Sequence, residues 1–451
     1  MQFKQFYLGC LSHASYYLGS EKEAVIIDPQ RDVQQYIDEA EANDQKIKYI
    51  IETHSHADFV SGHIELAQKT GAKIIYGRHA KTEFPTHKVS DGDELTIGKV
   101  NLKFLETPGH TPEGITILAE DTENAAAPVK IFTGDTLFIG DVGRPDLIGS
   151  EGFTAEEMGA MLYDSIHEKL LPLPDETEVY PAHGAGSLCG KSLSKETWST
   201  LGNQRKSNYA LQPMSKEEFV KIVAADQPEV PAYFPKSAAK NLQGSPALED
   251  LPKPKQLTSE EIANFDGVIL DVRAVGEFGA GHIPNAINIG LGGQFASWAG
   301  TLITVGTPIA VVAESQENID EAVMRLARVG IETVKGSILM KIFTGERKTI
   351  EQVSVEKVNE NLSGEIQFID VRRAAEHSAG HAPRTINLPL NHLANEIDKL
   401  NSEKPTYVLC QGGYRSSMGT SILENAGFKE IYNVTGGTSA WIDADLPIEK
   451  N

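Results

Sequence analysis

The chain opens with short runs rich in β-branched and aromatic residues, FKQFYLG, SYYLGS and EAVIIDP, each bounded by Gly, Pro or charge. Such runs predict strands joined as antiparallel hairpins. The apolar spacing then lengthens. VQQYIDEAEAND reads as a helix, KYIIETH as a strand running into a loop, and GHIELAQKTG as a helix that Gly71 closes. KIIYG, VNLKFLETPGH and VKIFTGDTLF are further strands, each ending on a polar cluster, and a helix around 156–171 precedes the turn VYPAHGAG. This alternation predicts a layered α/β unit over residues 1–242.

Residues 243–259, QGSPALEDLPKPKQLTS, pack three prolines among polar residues and read as a linker. Beyond it the chain repeats itself. GVILDVRAVGEFGAGHIPNAINI (267–289) is matched by IQFIDVRRAAEHSAGHAPRTINL (366–388), and one offset pairs Asp271 with Asp370, Arg273 with Arg372, His282 with His381 and Asn288 with Asn387. Each copy continues into a strand, a helix ending at Gly330 or Gly427, and another strand, which predicts a parallel α/β sheet. The expected domains are therefore 1–242, 259–350 and 352–451.

Length and composition agree with this division. At 451 residues the chain has room for two to four domains. A net charge of −22, with no basic block, argues against nucleic acid or an anionic membrane as partner and for a small soluble substrate. Three well-separated cysteines, Cys10, Cys189 and Cys410, without any CxxC, exclude a disulfide framework and a cysteine zinc site and fit a reducing compartment. The N-terminus turns polar too soon for a signal peptide, and no apolar run is long enough for a membrane span, so a cytoplasmic protein is expected.

The densest chemistry lies in THSHADFVSGH (53–63), where a strand gives way to a loop. His110 in ETPGH, Asp135 in FTGD and His183 in YPAHG each follow a strand too, so one sheet edge could gather them all. Imidazole and carboxylate without thiolate suit zinc or iron, and two His plus one carboxylate form the facial set of non-haem iron oxygenases. THSHAD, PGHT, GDT and AHG together resemble the metallo-β-lactamase superfamily over about the first 240 residues, which implies an αββα sandwich. Its hydrolytic members read HxHxDH, whereas this chain has Phe59 at the last position, and a hydrocarbon ring cannot ligate a second metal. The departure points to the persulfide dioxygenase branch. That resemblance implies one non-haem Fe(II) on His54, His110 and Asp135, with His56, Asp58 and His183 orienting ligands and water around it. Arg144 resembles the arginine placed near the thiol substrate in that branch, and could equally pair with Asp146 or Asp141. GAGSLCG replaces the tyrosine that follows the last His in glutathione-using enzymes, which leaves the thiol carrier open. Cys189 in that segment, among small residues that suggest access, is a candidate sulfur relay or a structural thiol.

In the second repeat a strand leads to Cys410, then Gln411, Gly412, Gly413, Tyr414 and Arg415, then a helix from Ser416. Backbone N–H groups and a helix N-terminus stabilise a thiolate there, the same amides would hold a persulfide sulfur, and Arg415 adds charge for an incoming anion. IDVR, the GH pair, CxxGxR and VTGGTSAW resemble the rhodanese sulfurtransferases, whose six-residue loop suits sulfur transfer rather than phosphate hydrolysis. In the first repeat Ala313 stands opposite Cys410 and ESQENID replaces the glycine loop, so that copy is expected to be an inactive pseudo-rhodanese, a spacer or docking surface. The whole order resembles bacterial fusions of a persulfide dioxygenase with two rhodanese domains. It implies Fe(II), O2, a low-molecular-weight thiol persulfide and sulfite as reactants, thiosulfate as product, and a homo-oligomer. A glyoxalase II-like zinc thioester hydrolase with a sulfurtransferase appendage is the alternative.

Overall fold

The expected hairpins form: strands Gln2–Leu8, His13–Ser20 and Glu23–Ile27 pair antiparallel in succession. Strands Lys46–Ile51, Lys73–Gly77 and His87–Val89 then join in parallel, completing a six-stranded sheet in chain order. The structure is a computed structural model and describes residues 1–124, 126–147, 152–225, 227 and 229–450.

A second six-stranded sheet holds Glu94–Ile97, Val100–Glu106, Ile115–Asp121, Lys130–Gly134, Glu178–Pro181 and Ser199–Thr200, again in chain order. Two neighbouring strands, Lys130–Gly134 and Glu178–Pro181, run parallel, and their register slips between Phe132 and Gly134. The slip bends the strand as it leaves the sheet at Asp135. Between the sheets, Tyr16, Ile27, Ile51 and Ile75 interleave with Phe104, Ile117 and Phe132, all essentially excluded from water. Each such side chain contributes ~1.5–3 kcal/mol by burial, so the two sheets are locked face to face. Tyr36 and Leu66, from helices Gln34–Ala42 and His63–Thr70, cover one outer face. Leu162 and Phe219, from Ala155–Asp164 and Lys216–Ala224, cover the other. The result is the αββα sandwich. Thr154 and Glu157 cap Ala155–Asp164 reciprocally, and that helix continues as a wider turn over Ser165–Leu170.

The chain divides into two compact units, Met1–Leu251 with Ala327–Gly330, and Pro252–Leu326 with Ile331–Asn451. The proline-rich stretch is more ordered than a plain linker. Leu248–Asp250 makes a 3-10 turn, and Lys255–Gln256 pairs with Val334–Leu339 as the edge of a sheet.

The second unit holds both repeats, and they fold alike. One sheet has the order Lys255–Gln256, Val334–Leu339, Ile309–Ala313, Val268–Asp271, Ala286–Asn288. The other has Glu351–Val353, Ile431–Val434, Thr406–Leu409, Gln367–Asp370, Ile386–Asn387. Every pairing in both is parallel. The four repeated polar residues do the same structural work twice. Arg273 and Arg372 clasp Asp271 and Asp370 at 2.7 Å, and each also donates to a carbonyl, Gly281 O or Gly380 O, at 2.8 Å. Asn288 and Asn387 donate to the backbone of those Asp and Arg residues, and His282 and His381 each bond the carbonyl four residues earlier. Among the described residues no helix is long and apolar enough to cross a membrane.

Candidate metal centre and sulfur-transfer site

Four strand ends of the sandwich deliver His54, His110, Asp135 and His183 to one place. Ligand atoms of His54, His110 and Asp135 all lie within 4.8 Å of one another, and all three residues are buried. Asp135 is the hub, with His110 Nε2 at 3.2 Å and His54 Nε2 at 3.7 Å from Oδ2, and His183 Nε2 at 3.6 Å from Oδ1.

Each imidazole is oriented from its other nitrogen. His110 Nδ1 donates to Arg144 O at 2.9 Å, and His183 Nδ1 to Ser12 O at 3.2 Å. His54 Nδ1 faces Thr53 Oγ1 at 3.0 Å, and that hydroxyl spends its own proton on Asp28 Oδ2 at 2.8 Å, so it can only accept from the ring. All three Nε2 atoms therefore face the carboxylate, where a metal ion could lie among them. Burial, with the neighbouring His56, His110, His183 and His13, holds His54 well below the ordinary imidazole range, so it is neutral and competent to ligate. Asp135 Oδ1 and Oδ2 and His183 Nε2 are buried without a hydrogen-bond partner. Two imidazoles and a carboxylate with orphaned atoms fit a divalent metal. A narrow cleft, lined in part by Thr53, His54, His110, Thr111, Asp135 and Thr136, lies at this cluster.

Thr53 was not singled out by sequence reasoning, and it carries the orientation of His54. Thr53→Val keeps the shape and removes the acceptor. Metal affinity is expected to fall ~10–100-fold, measured by competition with a chromophoric chelator; unchanged affinity would show that the hydroxyl does not matter.

Phe59 is buried and packs on His13 and His56, with ring centroids at 4.1 and 4.6 Å. His56 turns away from Asp135, its Nε2 lying 3.1 Å from Asp28 Oδ1 and 3.6 Å from Glu52 Oε2, while its ring lies against His54 at 4.1 Å. It thus braces the carboxylate that holds Thr53. Asp58 Oδ2 sits 3.4 Å from His183 Nε2. Burial would raise the Asp58 carboxyl, but His183, His56 and His13 outweigh it and bring it down to about 2.

Cys189 corrects an expectation: the small residues around it give no access, because it is buried, with its sulfur within 4.8 Å of the ligand atoms of Asp58 and His183. Burial first, then the charges of Asp58 and Asp135, push its thiol up to about 12. Arg144 is buried and engaged with Asp146 through two 2.7 Å bonds and with Leu188 O at 3.2 Å. Its contact with His110 is through its backbone carbonyl.

In the second unit, Cys410 follows strand Thr406–Leu409, and the helix Tyr414–Asn425 starts four residues on. Gly413 N–H donates to Cys410 Sγ at 3.1 Å, and Ser416 Oγ lies 3.4 Å from it. Gly413 sits at φ 94°, a conformation that excludes most side chains, and Gln316 stands in its place in the first repeat. Gln411 accepts from Arg372 at 3.3 Å and donates to Ser439 at 2.9 Å, while the space beside Gly412 is open. Arg415 is locked in a two-pronged pair with Glu376, both bonds 2.7 Å, so its charge is partly neutralised within the protein.

Glu376 also went unnoticed in the sequence, although the repeat places Glu277 at the matching offset. Burial opposes its charge, but Arg415 holds its carboxyl below the usual range. A carboxylate with a depressed folded pKa stabilises above its unfolded value of 4.5, and that contribution is lost as pH falls. Glu376 is a third open to water, so the pair contributes at most about 1 kcal/mol. The difference in melting temperature between wild type and Glu376→Gln is expected to be constant from pH 8 to about 5.5 and to shrink below 4.5. A difference independent of pH down to 3.5 would contradict this assignment.

Residues 8–183 match the metallo-β-lactamase superfamily, and residues 255–338 and 354–444 match the rhodanese-like domain. The chain belongs to the metallo-β-lactamase superfamily and carries rhodanese-like domains behind that fold. It is 33% identical over 217 residues to the mitochondrial persulfide dioxygenase ETHE1 of Bos taurus, covering 46% of this chain and 75% of that one. It is 32% identical over 248 residues to the cytoplasmic hydroxyacylglutathione hydrolase of Arabidopsis thaliana, covering 50% and 90%. Among solved structures, a metallo-beta-lactamase from Staphylococcus aureus subsp. aureus COL is 33% identical with a TM-score of 0.69, covering 75% of this chain and 99% of that one.

Proposed function

We propose that the first domain is a persulfide dioxygenase using one non-haem Fe(II), and that the last repeat is a sulfurtransferase consuming its product. The observation that carries this reading is the buried triad of His54, His110 and Asp135 beside Phe59, a set with ligands for one metal and a hydrocarbon where a second would need an imidazole. Relatives named persulfide dioxygenase support it.

Overall, a thiol persulfide, O2 and water become thiol, sulfite and two protons. Iron held by His54, His110 and Asp135 would supply the binding and activation of persulfide and O2 in the cleft. The chain's own residues do the rest. Arg144 O, Thr53 and Ser12 O hold the three imidazoles with Nε2 facing Asp135, and the sandwich core excludes water from behind them. At the rhodanese site the Cys410 sulfur attacks the outer sulfur of a persulfide, whose S–S bond breaks and releases the carrier thiol. Sulfite attacks that sulfur, the S–S bond to Cys410 breaks with its electron pair returning to Sγ, and thiosulfate leaves. Joining the two sites on one chain keeps sulfite close to its acceptor.

The second reading is a zinc thioester hydrolase. It draws on the hydroxyacylglutathione hydrolase relatives and on Asp58, His183 and Cys189, whose ligand atoms also converge. Metal analysis with an oxygen electrode separates the two. The dioxygenase reading expects one iron per chain and persulfide-dependent O2 uptake; two zinc ions and thioester hydrolysis without O2 uptake would favour the hydrolase.

A further inference from the structure

The helix that carries the sulfur-transfer cradle is held from outside its own repeat. Tyr414 OH donates to Gly290 O at 2.7 Å, and Ser417 Oγ to Asn288 Oδ1 at 2.6 Å. Asn288 N donates to Ser421 Oγ at 3.3 Å, and Glu424 Oε2 lies 2.9 Å from His282 Nε2. Positions 414, 417, 421 and 424 form one stripe of the helix. The whole stripe faces the pseudo-rhodanese copy.

Its first member is the informative one. Tyr414 stands between Gly413, whose N–H donates to Cys410 Sγ, and Arg415, which pairs with Glu376. Its ring lies where a side chain on Gly293 would be: a Cβ there would meet Tyr414 Cζ at 2.6 Å. The Gly290–Gly293 segment, GLGG, therefore offers a carbonyl for the hydroxyl and a bare backbone for the ring. A repeat that lacks its own cysteine and glycine loop has no other evident reason to shape itself around a residue of its neighbour's loop.

We propose that the pseudo-rhodanese copy is a positioning element of the sulfur-transfer site, its Gly290 and Gly293 holding Tyr414 and through it the Gly413 N–H that meets the Cys410 sulfur. The inference rests on the reading of Cys410 as the sulfur carrier.

The test uses the full chain with thiosulfate as sulfur donor and cyanide as acceptor, comparing wild type, Gly293→Ala, Tyr414→Ala and the double variant. Each single substitution is expected to lower kcat about tenfold while the KM for thiosulfate moves less than about twofold. Because both act through one contact, the double variant should lose no more than Tyr414→Ala alone. Tyr414→Phe, which removes only the hydroxyl, should lose about threefold and gives a second route if Gly293→Ala fails to fold. Wild-type kcat in Tyr414→Phe and Gly293→Ala, or losses that multiply in the double variant, would overturn the inference. Mass spectrometry of thiosulfate-treated wild type tests the underlying reading separately: Cys410 should gain one sulfur atom, and its failure to do so would overturn that reading and the inference with it.

Discussion

Asp135→Ala is expected to reduce bound metal to below about a tenth of wild type and to abolish persulfide-dependent oxygen consumption. The carboxylate is wholly buried, has no hydrogen-bond donor on either oxygen, and faces three imidazole Nε2 atoms within 3.7 Å. A buried carboxylate that accepts no hydrogen bond is costly in the absence of a cation. Losing it should weaken metal binding by about a thousandfold, or ~4 kcal/mol. The same argument predicts opposite effects on stability in the two states. Metal-free Asp135→Ala should melt no lower than metal-free wild type, because a buried carboxylate that accepts no hydrogen bond has been removed. Metal should then raise the melting temperature of wild type only, since stabilisation by a ligand requires binding to the folded state. Calorimetry with and without added Fe(II) under anaerobic conditions checks both halves. A variant that retains metal, or that melts lower in the metal-free form, would mean that Asp135 is structural.

Cys410→Ser is expected to separate the two proposed activities. Oxygen uptake is expected to stay within about twofold of wild type, while thiosulfate formation stops and sulfite accumulates in its place. Serine keeps the size of the side chain and its bond to the Gly413 N–H, but its hydroxyl neither accepts nor releases a sulfur atom under these conditions. The readout is the ratio of sulfite to thiosulfate by chromatography after thiol derivatisation. Continued thiosulfate formation would remove Cys410 from the reaction, and loss of oxygen uptake would contradict the division of labour between the domains.

Much of the metal centre was legible in the sequence because each principal residue sits just past an apolar strand. Strand ends in a layered sheet converge on one edge, so His54, His110, Asp135 and His183 could be gathered without coordinates. The tandem repeat was legible for a related reason: Asp271, Arg273, His282 and Asn288 and their partners brace one strand-to-helix turn, and that turn recurs at a fixed offset. What the sequence could not reveal are the contacts between segments far apart in the chain. Asp28 reaches Thr53 across 25 residues, Glu376 reaches Arg415 across 39, and Tyr414 reaches Gly290 across 124. None of these spacings has a local signature. Asp28 does end the run EAVIIDP, and so shares the strand-end position of the other site residues. The role of Cys189, relay or structural thiol, is left open by the sequence for the opposite reason. Small neighbours in GAGSLCG looked like an opening, but small residues also permit close packing, and here they bury the sulfur beside His183.

The most direct test of the central claim is oxygen uptake by purified, iron-loaded protein across a panel of low-molecular-weight persulfides, with metal content measured on the same sample. The account predicts one iron per chain, oxygen consumed in proportion to a persulfide, and loss of both in Asp135→Ala. Iron-loaded protein that consumes no oxygen with any persulfide of the panel would contradict it.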